Sequence, residues 1–492
     1  MRPSFSVVGR AEWPERVSLW ALAVLVWAVA VLPNLSVRSF MWEEGNSAVL
    51  ARDVLTRGDW LEPAIFGLRY VEKPSLYAWL IAGIAWLTGR VDEWSTRLPA
   101  LLAILGTALL VLHVTRRHAS APAALFAAGA FMFSPLLVRK LTIGEPDAVV
   151  TFLSFGAFVV WSAGEAQGRV TAARWLACGG LLAAVAVTKG PEPVGFFALG
   201  VAGDLVMRRR WTALPGLIIC LAIPLATTIA WATAVYRPGD FTLWLEYMRM
   251  DEGGTLSHYL RERARFAGSL PLELLPATLV LASVWALGEA PFGITGRRPP
   301  IVRALALYAG LCTAALLVWP GAKTRYAMPI APAVAVLAGL SIESLWRRRH
   351  WAGAAAVALT GLSLLYQVIF VTVALSLPPE RFAEHRQFAA IIDSAARELP
   401  APLFTIGAAH SNKLFYLTEP VRALMLPDDA ALLAAPAWVL ASPSDLARCR
   451  MLRPDLAFHV MPPVLDLDNP VLARIESALT GVRGSGFTPP PG

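Results

Sequence analysis

Residues 17–37 form an uninterrupted run without Asp, Glu, Lys or Arg. At about 1.5 Å per residue, such a run can cross a hydrocarbon core of about 30 Å as a helix. Comparable charge-free runs recur at residues 98–115, 119–138, 148–164, 175–188, 193–203, 211–236, 274–288, 304–322, 326–342 and 351–379. A backbone in lipid must satisfy its own hydrogen bonds, so these segments are expected as helices. The first run ends Asn34-Leu35-Ser36-Val37-Arg38 rather than in small residues, and reads as a retained span instead of a cleaved signal peptide.

Hydrophobic residues make up 56% and charged residues 16% of the 492, which leaves too little polar material to cover several soluble domains. The net charge of +8 lies in short arginine clusters between apolar runs rather than along one face, so nucleic acid is not an expected partner. Cys178, Cys220, Cys312 and Cys449 are far apart and match neither a zinc-ligand spacing nor a disulfide framework. After Pro379 charges return to ordinary density, with strand-like pieces at 403–406, 421–424, 438–440 and 458–460. Residues 380–483 therefore predict a small α/β domain. The tail 484–492, with Pro489-Pro490-Pro491, predicts disorder.

Residues 75–89 decide which side is which. If this apolar run crossed, the clusters Arg116-Arg117, Arg208-Arg209-Arg210, Arg297-Arg298 and Arg347-Arg348-Arg349 would face away from Arg2, Arg10 and Arg16. That breaks the positive-inside rule; laid along the interface, the run leaves every cluster cytoplasmic. The expected architecture is thus an α-helical polytopic membrane domain over 1–379, with about 11 transmembrane helices and a long outer loop over about 40–97. The N-terminus is then cytoplasmic and the α/β domain lies on the outer face.

In this topology polar residues gather on the outer rim. All five lysines, Lys73, Lys140, Lys189, Lys323 and Lys413, fall outside, although lysine ordinarily favours the cytoplasmic side. A compact ammonium suits phosphate as a point charge, and a neighbouring proline or glycine shapes the backbone that presents it, as in Lys73-Pro74 and Lys189-Gly190-Pro191. Two carboxylate clusters, Glu43/Glu44 and Glu145/Asp147, flank spans on the same rim. A carboxylate that activates an acceptor, with cations that hold an anionic leaving group, is the equipment for glycosyl transfer from a lipid-linked sugar phosphate. The carboxylates could hold a divalent ion, but no ligand spacing demands one. A transporter or flippase of an anionic polyprenyl lipid could use the same cations, yet it would need charges along the bundle, and these spans carry almost none away from the rim.

At these residues the sequence resembles the GT-C glycosyltransferases of the dolichyl-phosphate-mannose protein mannosyltransferase type, which include the bacterial aminoarabinose lipid A transferase. The similar segments run in order. They are Glu43 through Ala51-Arg52-Asp53 to Gly58-Asp59-Trp60; Glu72-Lys73-Pro74; Ser95-Thr96-Arg97-Leu98-Pro99; Ser134-Pro135 through Pro146-Asp147-Ala148; Thr188-Lys189-Gly190-Pro191; and Lys323-Thr324-Arg325-Tyr326. The resemblance implies an inverting transferase of the bacterial inner membrane, with a polyprenyl-phosphate sugar as donor and a lipid, glycan or protein as acceptor. It implies Glu43 and Asp147 as the catalytic carboxylates, Glu43 being one methylene longer than the family's aspartate. Lys73 would contact the lipid phosphate, with Glu44, Lys189, Arg249, Lys323, Arg325 and Tyr326 as further candidates for binding phosphate and sugar.

Overall fold

The computed structural model describes residues 18–241, 256–286, 300–348, 350–376, 383–407, 411–461 and 471–477. Among these, seven helices are long and apolar enough to span a membrane, or eight if one sharply bent pair counts as a span. The long ones include Glu93–Arg116, Pro146–Ala166, Ala172–Lys189 and Pro300–Val318. Leu19–Val31, Ala121–Met132 and Val194–Met207 fall within three of the remaining charge-free runs and are shorter, at 13, 12 and 14 residues.

Two expectations need correction. The run beginning at residue 274 is the second limb of a broken element: Leu256–Glu273 and Ala277–Ala286 meet at 97°, and the first limb lies outside the charge-free runs. Polar residues had disguised that limb, but they have structural partners. The buried Arg263 donates to the carbonyls of Leu316, Trp319 and Ala322, satisfying the C-terminal end of helix Pro300–Val318. Likewise residues 93–97, read from sequence as the end of a loop, are already helical. Asp92 and Ser95 form a reciprocal capping box that starts helix Glu93–Arg116.

Helix Leu76–Thr88 packs against helices Glu44–Arg57 and Glu93–Arg116. It does not carry the chain to the far end of the bundle. Lys73 before it meets Glu43, and Glu93 after it bonds Arg386 at the start of the C-terminal domain. Between the first two of these helices lies a short hairpin, β1 (Ala64–Ile65) and β2 (Leu68–Arg69), whose turn uses positive φ at Phe66 and Gly67.

The C-terminal domain holds a five-stranded sheet of β3 (Leu403–Ile406), β4 (Val421–Leu424), β5 (Ala437–Ala441), β6 (Leu456–Val460) and β7 (Val471–Ser477), in the order β4-β3-β5-β7-β6. β3 runs parallel to β4 and β5, while β7 is antiparallel to β5 and β6. Helix Glu384–Glu398 covers one face with Phe388 and Ile392, and helix Pro443–Leu452 covers the other with Leu446 and Cys449. Strand β5, wedged between both layers, is buried at every residue. β7 was not legible in the sequence because Arg474 and Glu476 interrupt its apolar residues; in the sheet the two side chains lie 3.3 Å apart, and Glu476 also meets His459 on β6.

Candidate active site

Glu43 stands at the N-cap of helix Glu44–Arg57, and Trp42 before it has a left-handed backbone with φ 52°. A bulky residue in that region is strained and needs neighbours that hold it there. The Glu43 carboxylate makes no bond to its own helix. It accepts from Lys73 Nζ at 2.6 Å and lies 3.4 Å from Arg325 Nη2. Burial opposes its ionisation, but Lys73, Arg325 and Lys189 outweigh burial and hold the carboxyl at about 2. Burial also disfavours the Lys73 ammonium, yet Tyr70, Glu43 and Glu72 prevail and push its pKa above the ordinary lysine value.

The second carboxylate arrives by a different local route. Glu145 is extended at the N-cap and Pro146 takes the first helical position, so Asp147 sits in the first turn of helix Pro146–Ala166, where the helix dipole favours negative charge. Lys189 closes helix Ala172–Lys189, which Gly190 stops at φ 109°. Its Nζ donates to Asp147 Oδ1 at 2.5 Å and lies 4.7 Å from the centroid of the Tyr326 ring. The Arg325 guanidinium lies 5.4 Å from the same ring, so the aromatic face is shared by two cations.

Both pairs face one cavity of about 500 Å³. Glu43, Lys73, Asp147, Lys189, Lys323, Arg325 and Tyr326 contribute to its polar part. Most of the remaining lining is apolar, including Val150, Phe196, Leu199, Trp231, Leu316 and Trp319. The arrangement offers cations for an anionic group, two carboxylates for a hydroxyl group and an apolar wall for hydrocarbon. Among the described residues no three His, Cys, Asp or Glu side chains converge as a metal site.

Two sequence candidates are absent from this set. Glu44 is fully buried away from the cavity, where it accepts from Arg97 Nε at 2.7 Å and from the backbone amides of Met41 and Gly144. Its place is structural: about 100° of helical rotation separates neighbouring positions, and the two carboxylates point apart. Arg249 lies outside the described residues. The cavity also contains Glu192 and Tyr236, which sequence reasoning did not select. Glu192 directly follows Lys189-Gly190-Pro191, so the signal for it was adjacency to a motif already chosen. A buried pair, Lys140 Nζ on Glu145 Oε2 at 2.5 Å, lies beside the site, with the ammonium 4.8 Å from the Trp42 ring centroid. Burial raises the Glu145 carboxyl despite the pull of Lys140.

A family model described as dolichyl-phosphate-mannose-protein mannosyltransferase matches residues 72–232. The chain superposes on the crystal structure of ArnT from Cupriavidus metallidurans bound to undecaprenyl phosphate with a TM-score of 0.69, at 18% identity, over 95% of this chain and 98% of that one. The chain has the GT-C glycosyltransferase fold. The same protein in its apo state superposes with a TM-score of 0.67. Among curated relatives of this GT-C chain is the undecaprenyl phosphate-alpha-4-amino-4-deoxy-L-arabinose arabinosyl transferase of Pseudomonas paraeruginosa, 28% identical over 87% of this chain and 75% of the relative. Another is the corresponding transferase of Edwardsiella ictaluri, 28% identical over 53% of this chain; the match spans about half of that relative, 48%.

Proposed function

We propose that this protein is an inner-membrane glycosyltransferase that takes a sugar from a polyprenyl-phosphate carrier and passes it to an acceptor on the outer side of the membrane. The observation that carries the reading is the pairing of Lys73 with Glu43 and of Lys189 with Asp147 in one cavity with an apolar wall. The relatives supply the class of donor: their names specify undecaprenyl phosphate carrying aminoarabinose, and the superposed ArnT structure contains undecaprenyl phosphate.

In the proposed reaction an acceptor hydroxyl oxygen attacks the anomeric carbon as the bond from that carbon to the phosphate oxygen breaks, inverting the configuration. The hydroxyl proton passes to a carboxylate, Glu43 or Asp147. The electron pair of the broken bond stays on the phosphate, which leaves as polyprenyl phosphate with added negative charge. Lys73 and Arg325 stabilise that charge as it grows, and the interaction lowers the barrier because it is stronger in the transition state than in the bound donor. The apolar wall suits the isoprenoid chain. The arginine clusters between the apolar runs support a topology with the N-terminus in the cytoplasm and the sheet domain outside.

Cells deleted for the protein should accumulate one polyprenyl-phosphate sugar and lose the matching sugar from one envelope acceptor, with both effects reversed on re-expression. Unchanged pools of donor and modified acceptor would sink the reading. Accumulated donor that is confined to the inner leaflet would favour a flippase instead.

A further inference from the structure

We infer that Asn412, in the C-terminal domain, is a positioning residue for Glu43, so that this domain sets the geometry of the site as well as packing against it. The inference rests on the function proposed above, because it assigns Glu43 a role in transfer. Asn412 reaches across the domain boundary and straddles the carboxylate in sequence: its Oδ1 accepts from the Gly45 amide at 2.8 Å, and its Nδ2 donates to the Trp42 carbonyl at 2.6 Å. One side-chain amide therefore fixes the residues on either side of the Glu43-Glu44 pair. It also supplies a neighbour that the left-handed backbone of Trp42 requires.

The approach is close. A Cβ on Gly45 would stand 2.4 Å from the Asn412 nitrogen, so the domain backbone packs directly on the first turn of the helix that Glu43 caps. Asn412 is itself anchored. It lies in the short helix Ser411–Leu414, and the residues just beyond it are tied to the domain where Asp393 accepts from the amides of Thr418 and Glu419. The amide supplies both an acceptor and a donor here: Asp would present a second acceptor to the Trp42 carbonyl, and Ala would present nothing.

Other contacts join the two parts without touching residues 42–45. Arg386 bonds Glu93 and the Ser36 carbonyl, the latter at 2.9 Å. Arg386→Ala therefore loosens the domain and serves as the control. With purified protein in lipid nanodiscs and an undecaprenyl-phosphate sugar as donor, Asn412→Ala should lower kcat by about 10- to 100-fold, as a displacement of about 1 Å does. KM for the donor should stay within about twofold, because Lys73 is untouched. Arg386→Ala should keep kcat within about twofold of the wild type, a limit far below the loss predicted for Asn412→Ala. Hydrogen exchange at the Gly45 amide should accelerate in Asn412→Ala while the rest of the membrane domain stays protected. Wild-type kcat in Asn412→Ala overturns the inference, as does an equal loss in both variants, which would reduce Asn412 to a docking contact. If the wild type transfers no sugar, the proposed function fails on its own account, and the exchange measurement still reports whether the clamp exists.

Discussion

The Lys73 ammonium is held between two carboxylates, 2.6 Å from Glu43 and 3.0 Å from Glu72, at the polar end of the cavity. A donor phosphate arriving there competes with Glu43 for the same cation. Lys73→Ala should weaken undecaprenyl phosphate binding by about 10- to 100-fold, the range for a charge-assisted hydrogen bond, and should also lower kcat. Lys73→Arg should recover part of the binding, since a planar fork does not replace a compact ammonium. Titration of undecaprenyl phosphate into each variant checks this. Full affinity and full turnover in Lys73→Ala would move the phosphate site to Lys189, Lys323 or Arg325.

The same competition gives a pH prediction. Without donor, Glu43 is held at about 2, against an ordinary glutamate value of 4.5. A lowered carboxyl favours the folded, ionised state. Its contribution to stability is complete above about 4.5 and is lost as the pH falls toward about 2. When the phosphate takes Lys73 and Arg325, the carboxylate loses its counter-charges and becomes a stronger base. The acid limb of kcat, which reports the complex, should thus lie at higher pH than the limb of kcat/KM for the donor, which reports the free protein. Coincident limbs would show that Glu43 keeps its cations throughout.

Asp147→Asn preserves the size of the side chain while removing its charge and its capacity to accept a proton. Turnover should fall by about 10²- to 10⁴-fold with donor affinity largely kept. Single-turnover assays with saturating donor separate the two. A variant that turns over normally would leave Asp147 as a helix-end charge paired with Lys189.

Arg97 and Glu44 give a prediction about stability rather than catalysis. The pair is almost completely buried, and Arg97 also donates to the Leu35 and Ser39 carbonyls. Arg97→Ala should cost about 3–5 kcal/mol, because it strands the Glu44 carboxylate in the core. Thermal unfolding in detergent should reveal the loss. Any folded fraction should bind undecaprenyl phosphate normally, and selective loss of donor binding would instead return Glu44 to the cavity.

Much of the membrane part was legible because lipid forces charge-free runs into helices; Lys73 and Lys189 were legible because the lysines are few and these two precede a proline or a glycine, whereas Arg325 came only from the family resemblance. The errors arose where a charge had a hidden partner. Arg97 and Glu93 read as loop residues, yet one is neutralised by Glu44 and the other by Arg386, so the helix absorbs both. Glu44 read as a site residue because it follows Glu43. Only the helical rotation between neighbours, and the packing of Gly144 and Arg97 around it, assigns the two carboxylates to different surroundings. The contact between Asn412 and Trp42 spans 370 positions, and no local pattern in the chain announces it.

The Phe66 carbonyl, at the tip of the β1–β2 hairpin, accepts at 2.9 Å from the Ala423 amide on strand β4, the outermost strand on its side of the sheet. A hairpin residue thereby blunts part of an edge that would otherwise expose backbone hydrogen-bonding groups. The sheet domain is for this reason not an interchangeable cassette. A chimera that exchanges residues after 383 with those of a relative must carry the hairpin 64–69 along with them, or it will join a sheet to the wrong seam.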